Sequence, residues 1–239
     1  GNPDPAGLPV PNVVLPSKKT PPLKTCNATP GVAMPSYSAI SETGLFENTA
    51  ARRVAKGVRV YFPMYELWSD GAAKNRFILL PGDCSIDTSD VNRWVFPVGT
   101  KVWKEFYAGV ELVEIRMLEK TSSGWYKMAF VWNGTDAIAA PDGLENAAGT
   151  EHDVPSAAAC NACHGNPTRD VLNGVSAVQL ARSGMAEWEQ DGILSIPLSG
   201  TYGFPYLGGD PNGYATIALG VLHASCSHCH SGPNAPAGL

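Results

Sequence analysis

Histidine is missing from the first 151 residues of this 239-residue chain, and all five histidines lie between residues 152 and 230. Long apolar runs are also missing, since the longest candidate, residues 215–222, is far too short to cross a bilayer. There is no basic excess, because the net charge is −5, and this argues against a nucleic-acid partner. What remains is a chain long enough to bury a core in one large domain or two small ones.

Two copies of the pattern C-x-x-C-H are present, at residues 160–164 and 226–230. This pattern attaches c-type haem: two thiols add to the vinyl groups of the porphyrin, and the adjacent histidine reaches the iron. A zinc site would need paired C-x-x-C ligands without a fixed trailing histidine. We therefore predict two haem c groups. The predicted attachment residues and proximal ligands are Cys160, Cys163 and His164 for one haem, and Cys226, Cys229 and His230 for the other.

The remaining histidines are candidates for the distal ligands of the two irons. His152 precedes the first motif by eight residues, enough for a loop to reach the opposite face of the haem. His223 lies just before the second motif and would more readily ligate the other haem or one in a neighbouring subunit. His228 lies inside the second motif and points away from its own iron. The rival is Met185, and Met ligation would raise the reduction potential. We favour His/His ligation, and the sequence leaves the assignment open.

The motifs also predict where the protein works. Haem is attached to C-x-x-C-H outside the bacterial cytoplasm, and no signal peptide is visible, because Gly1-Asn2-Pro3 lacks a basic and an apolar segment. We therefore expect Gly1 to begin a processed chain in the periplasm or at the cell surface. In such a compartment Cys26 and Cys84 are predicted to form a disulfide. By the chain-entropy model, closing a loop of roughly 60 residues is worth on the order of 4 kcal/mol. The alternative is two unpaired buried thiols.

Residues 1–40 are predicted to form a proline-rich extended arm. Proline recurs in this arm, with valine and leucine between, at positions 3, 5, 9, 11, 16, 21 and 22. This spacing forbids helix and favours polyproline-like backbone. Such an arm can lie along its own globule or along a neighbouring subunit. We expect partners that are redox proteins or copies of this chain, in an oligomer or filament assembled through the arm.

Residues 41–149 are predicted to form an antiparallel β domain, either a sandwich or a barrel. Short strands bounded by turn residues are expected at 58–62, 76–80, 93–96, 101–107, 110–118 and 125–132. A short helix is expected at 41–48. Seven aromatic residues are expected to belong to the core of this domain rather than to a cofactor site, because strand-borne aromatics usually pack across strands. They are Trp68, Trp94, Trp103, Phe106, Trp125, Phe130 and Trp132.

Residues 150–239 are predicted to form an irregular and helical haem-binding region. Short helices are expected at 176–182 and 186–190, and a longer one at 215–230 would carry the second motif. Little apolar sequence is left for a separate core, so we expect the haems to serve as the hydrophobic centre. The fold class is therefore mainly β, with a small dihaem cytochrome c region.

Several further stretches resemble a poorly characterised family of exported bacterial dihaem cytochromes. They are YELWSDGAAK at 65–74, RFILLP at 76–81, FPVGT at 96–100, VWN at 131–133, HDVPS at 152–156 and LHASC at 222–226. The resemblance covers about residues 58–232 and leaves out the proline-rich arm. It implies a β-rich half followed by a haem half, and it says little about physiology.

Two function classes follow from two haems. The first is electron transfer, by a carrier or by a repeating unit in a chain of haems. The second is a dihaem peroxidase-like enzyme, which needs one open iron and an acid or base beside it. We assign no catalytic residue, because enough candidate ligands exist to close both irons. A third class, a binding module that uses the haems as a sensor, has no motif in its favour.

Overall fold

The chain folds mainly as antiparallel β-sheet. The computed structural model describes residues 34–69, 71–90, 94–164, 172–180, 185–198 and 210–227. In chain order the strands are β1 Phe46–Asn48, β2 Arg53–Val54, β3 Arg59–Val60, β4 Ala73–Leu79, β5 Lys101–Ala108, β6 Glu111–Thr121, β7 Gly124–Trp132 and β8 Ala137–Ala139. β1 and β2 form a small sheet, and β3 to β8 form a six-stranded sheet in which each strand pairs with its sequence neighbours.

Five of the six predicted strands are confirmed, with shifted ends. The strand expected at 93–96 is not formed over its described residues, 94–96, where Val95 makes a single antiparallel bridge with Asp87. The helix expected at 41–48 is also wrong. A 3₁₀ turn, Ile40–Glu42, is followed by strand β1, because Gly44 adopts a φ of 87° that ends the turn.

One face of the large sheet, here called the sealed face, is covered by the segment around β1. The side chains of this face belong to one buried cluster with Ile40, Leu45 and Phe46. The sheet contributes Phe77, Trp103, Ile115, Met117 and Phe130. The covering segment is also held by polar contacts, since the Trp103 indole donates to the Thr43 hydroxyl at 3.2 Å. This face is therefore an ordinary dry core.

The opposite face, here called the cation face, is apolar at one end and carries charged side chains beyond it. Antiparallel register places Ile78, Val102 and Leu118 in one row across β4, β5 and β6. Side chains two residues along each strand share the same face. The next row, here called the cation row, therefore consists of Arg76, Lys104 and Arg116.

Four helices follow the sheet in the chain. They are α1 Asn161–His164, α2 Ala177–Leu180, α3 Met185–Gln190 and α4 Tyr214–Cys226. The expected helices at 176–182 and 186–190 correspond to α2 and α3. The expected helix at 215–230 corresponds to α4 as far as Cys226, and residues 228–230 lie outside the described part. No helix among the described residues is long and apolar enough to cross a membrane.

The segment 172–198 packs on the sheet. Leu180, Met185 and Trp188 share a buried cluster with Ile78 and Val102 of the cation face. Backbone bonds join the same parts of the chain. The Ile86 amide donates to the Ile193 carbonyl and the Ser195 amide to the Ile86 carbonyl, both at 2.8 Å. The expectation that the haems alone would form the hydrophobic centre of residues 150–239 is thus wrong for 172–198, whose core is shared with the β-sheet.

Most of the aromatic residues predicted to be core are buried. Trp94, Trp103, Phe106, Trp125 and Phe130 are at most 7% exposed. Trp132 packs partly buried against the sealed face. Trp68 is the exception: it is 75% exposed, so its assignment to the core is wrong. It lies in an irregular segment before β4, where no facing strand covers it.

Candidate haem-attachment site

The first C-x-x-C-H motif lines a cavity on the cation face. The cavity has a volume of about 250 Å³ and is lined by Cys160, Cys163 and His164 together with side chains from β4, β5, β6 and β7. Pockets that enclose a whole small ligand usually measure about 300–1,000 Å³. A space of this size holds part of a porphyrin and leaves the rest of the ring outside it.

Local contacts fix the motif on the sheet. The Cys160 amide donates to the Ser156 carbonyl, and the His164 amide donates to the Cys160 carbonyl in helix α1. The Lys127 ammonium on β7 donates to the Asn161 side chain at 2.8 Å, which ties α1 to the sheet. None of Cys160, Cys163 and Cys226 is in a disulfide, so their thiols are available for attachment.

The chain leading into α1 depends on a close approach of two segments. Leu144 and Val154 form an antiparallel bridge. Gly143 beside it has a φ of 80°, and a Cβ there would lie 2.6 Å from the Val154 carbonyl oxygen. Only glycine accepts both the left-handed backbone and the missing space. This bridge brings the chain back over the sheet just before the first motif.

Five cations line the cavity, here called the cavity cations. They are Lys74, Arg76, Lys104, Arg116 and Lys127. The middle three form the cation row, in which Lys104 lies directly opposite Arg76 on one side and Arg116 on the other. Like charges at directly opposite positions destabilise a sheet. The arrangement therefore favours an anion in the cavity.

Four of the cavity cations already have partners. The Arg116 guanidinium donates to both oxygens of Glu114, and Arg76 pairs with Glu66 at 3.2 Å. Lys127 donates to Asn161, and Lys74 donates to the Leu67 carbonyl. Lys104 makes no hydrogen bond or ion pair with any residue that the structure describes. Lys104 is therefore the central residue of the cation row and the one cavity cation without a partner among the described residues.

Burial changes the titration of two groups at the cavity. Desolvation, aided by the charges of Arg76, Arg116 and Lys74, lowers the pKa of Lys104 to about 7. Desolvation also raises the pKa of the Cys160 thiol, against the attraction of Arg116 and Lys127. At neutral pH the Cys160 thiol is therefore protonated. Lys104 is partly deprotonated at this pH, and a nearby negative charge would favour its protonated form.

His152 does not line this cavity in the described part of the chain. Its side chain is 4% exposed, and Nε2 lies 2.7 Å from the Glu114 carboxylate. Its ring also contacts Phe106, with ring centroids 5.5 Å apart, and Phe106 in turn lines the cavity. His152 Nδ1 has no hydrogen-bond partner among the residues that the structure describes. In this structure His152 orients Glu114, which holds Arg116, and its role as a distal ligand stays a prediction.

The other predicted ligands lie away from the first motif or outside the described residues. Met185 is buried in the cluster that joins α3 to the sheet. His223 is half-buried on α4, and burial lowers its pKa. His228, Cys229 and His230 lie outside the described residues. Cys226 ends α4, so only the beginning of the second motif is described.

Helix α4 is held to the β half by one very close approach. Gly220 is buried, and a Cβ added to it would lie 2.1 Å from the Tyr65 ring. The Tyr65 backbone amide donates a hydrogen bond to Gln179 Oε1 at 2.9 Å. The beginning of the second motif is thus fixed to the same irregular segment that precedes β4.

Only one of the two cysteines of the predicted disulfide lies among the described residues. Cys84 is disulfide-bonded. Cys26, its expected partner, lies outside the described residues, so the pairing itself stays a prediction.

The sequence reading missed the cavity cations. Lys74 and Arg76 are two residues apart on β4, and Lys104 lies between the apolar Val102 and Phe106 on the same face of β5. A positive side chain at an inward position of an otherwise apolar strand face was the available signal. In comparisons with known proteins, no family model, no curated protein and no solved structure matches this chain. The case for its function therefore depends on the motifs and this geometry.

Proposed function

We propose that this chain is an exported dihaem c-type cytochrome that transfers electrons through two covalently bound haems. The observation that carries the proposal is the position of Cys160, Cys163 and His164, which line one cavity on a rigid sheet. A haem-attachment motif on an exposed loop would offer no space for a porphyrin. Here the two thiols and the imidazole face the same space.

The residues present fit the chemistry of a haem c group. Haem iron supplies one-electron oxidation and reduction when it is bound. The thiols of Cys160 and Cys163 would form the two thioether bonds, and His164 would donate one ring nitrogen to the iron. Phe106 and Leu118 supply apolar wall to the cavity, and the cavity cations supply positive charge. Together they exclude water from part of the ring and favour its negatively charged edge.

The second haem belongs to the proposal on the strength of its motif. Cys226 lies at the end of α4 as an available thiol, and His223 lies one turn before it on the same helix. Cys229 and His230 would complete the attachment. His223 and His228 remain the proposed distal donors, either for the other haem or across a subunit contact.

The experiment is a haem count on the full chain produced with a c-type haem maturation system in a bacterial periplasm. Intact mass and the pyridine haemochrome spectrum should give two covalent haems per chain. Replacing Cys160 and Cys163 by Ala should remove one haem. Replacing Cys226 by Ala removes one thioether bond to the second haem, which should then be held by a single bond or be lost. Cys84→Ser is the control cysteine variant and should keep both. A folded wild-type chain with no covalent haem would overturn the proposal.

A second candidate function, a peroxidase-like oxidoreductase with one open iron, is favoured by the position of His152. The expected distal ligand of the first haem is bound to Glu114 and does not line the cavity. Carbon monoxide added to the reduced protein distinguishes the two functions. Electron transfer predicts two low-spin haems that do not bind it, and a spectral shift of one haem would favour the enzyme.

Assembly through the proline-rich arm is the remaining part of the proposal. Residues 1–33 lie outside the described part of the chain, so the argument is the polyproline pattern alone. A head-to-tail contact of that kind generates a filament unless it closes into a ring. Deleting residues 1–22 should keep both haems attached and abolish assembly. If the truncated chain sediments as the full-length chain does, the arm has no part in assembly.

A further inference from the structure

The cation row lies in the wall of the cavity that the first motif also lines. Lys104 is directly opposite Arg76 and Arg116 on the neighbouring strands. The side chain of Arg76 is 3% exposed, so its charge is largely withdrawn from water. A sheet that brings three cations together at this depth is stabilised by an anion between them.

The charges of the described residues around the cavity do not balance. The five cavity cations face two carboxylates, Glu66 on Arg76 and Glu114 on Arg116. Lys127 bonds to the neutral Asn161 side chain. Lys104, which has no partner among the described residues, is left in the middle with its neighbours already engaged. Room for additional negative charge is therefore greatest beside Lys104.

We propose that Lys104, between Arg76 and Arg116, binds the propionate carboxylates of the haem attached at Cys160 and Cys163. This inference rests on the proposed function. Haem carries two carboxylates on the edge of the ring opposite the vinyl groups that the thiols would engage.

The helix that carries the thiols is tied to β7 by the bond between Lys127 and Asn161. The cation row runs away from β7, from Arg116 on β6 through Lys104 on β5 to Arg76 on β4, along the wall of the same cavity. A ring held at the thiols would therefore extend along the row, with its carboxylate edge toward the cations. Charge-assisted hydrogen bonds from a lysine flanked by arginines suit a pair of carboxylates.

A free anion such as phosphate would satisfy the same cations. The haem is the favoured source because its carboxylates are delivered by the covalent attachment and need no separate binding equilibrium. The titration of Lys104 is consistent with this choice. A carboxylate beside it would raise its pKa from the lowered value that burial imposes.

The test compares three holo variants with the wild-type chain. Lys104→Met removes the charge and keeps the length of the side chain, Lys104→Arg restores the charge, and Lys56→Met removes one exposed positive charge that does not line the cavity. All should carry two haems by intact mass. In Lys104→Met the propionate bending band in the resonance Raman spectrum should shift, and the midpoint potential of one haem should fall. Lys104→Arg and Lys56→Met should match the wild type in the potential.

The outcomes separate this inference from the function on which it rests. Two haems with an unchanged propionate band and potential in Lys104→Met would overturn the inference and leave the proposed function standing. No covalent haem in the wild type would overturn the function itself. A potential that responds to added phosphate in the wild type, and not in Lys104→Met, would show a free anion in the site and would also overturn the inference. If Lys104→Met is not produced in folded form, Lys104→Gln takes its place in every comparison.

Discussion

The two faces of the large sheet are built from the same six strands, but their side chains differ in character. The sealed face carries Trp103, Ile115 and Phe130, each fully buried against the segment around β1. The cation face carries Arg76, Lys104 and Arg116 in one row across three strands. The sealed face stabilises the fold by hydrophobic burial. The cation face contributes less of this stabilisation, because charged side chains occupy positions that apolar ones could fill. The site on the cation face is rigid because the sealed face supports it.

The largest effect is expected on the sealed face. Phe130→Ala removes a fully buried ring and leaves a cavity under β1, so it should lower the free energy of unfolding by about 3–5 kcal/mol. Urea denaturation followed by tryptophan fluorescence measures this change. Val110→Ala is the control, because Val110 is 88% exposed in the turn after β5. It should change stability by less than about 0.5 kcal/mol. Similar effects of the two variants would contradict the description of this face as a dry core.

A smaller effect is expected from the carboxylate that serves the cation face. Glu114 is fully buried and holds both Arg116 and the buried His152, so Glu114→Gln removes the carboxylate on which both depend. The expected loss of stability is about 3 kcal/mol. Glu47→Gln is the control, since Glu47 pairs with Arg53 and both of these side chains are about half exposed or more. Its effect should stay below about 1 kcal/mol. Equal losses in the same urea experiment would show that burial does not separate the two pairs.

Most strands could be predicted from the sequence because alternation is a local pattern that needs no knowledge of distant residues. The C-x-x-C-H motif is equally local, and haem attachment at its residues stays a prediction. The cation row could not be predicted in this way. Its members come from three strands, and which side chains face one another depends on register, which shifts between Phe106 and Tyr107 at a bulge. Register is set by pairing and turns together.

The position of His152 was beyond the sequence for a similar reason. The separation of eight residues between His152 and the first motif is enough for the histidine side chain to reach a haem there, but it does not determine where the side chain points. The bridge between Leu144 and Val154 turns the chain so that His152 points to Glu114, which is 38 residues earlier in the sequence. A contact between residues so far apart follows from the packing of the loop on the sheet. No short-range pattern announces it.

The smallest expected effect is a pH dependence that belongs to the cation face alone. In a chain whose Cys160 and Cys163 are replaced by Ala, the proposed haem cannot attach, and Lys104 pairs with no carboxylate of the described residues. Burial lowers its folded-state pKa to about 7, whereas an unfolded lysine titrates near pH 10.4, so the unfolded chain binds more protons between these values. Stability should therefore rise with pH over this window, by roughly 1 kcal/mol between pH 7 and pH 8.

Lys104→Met in the same background should remove most of that slope. The neighbouring arginines do not titrate in this range. Burial also lowers the pKa of Lys127, so a small slope of the same sign should remain. Tyr37 and Tyr107 have raised pKa values and contribute only at higher pH, where they act in the opposite direction. Urea midpoints measured from pH 6.5 to pH 9 give the slopes. Equal slopes with and without Lys104 would mean that its ammonium is solvated, and the cation face would then differ from the sealed face in composition only.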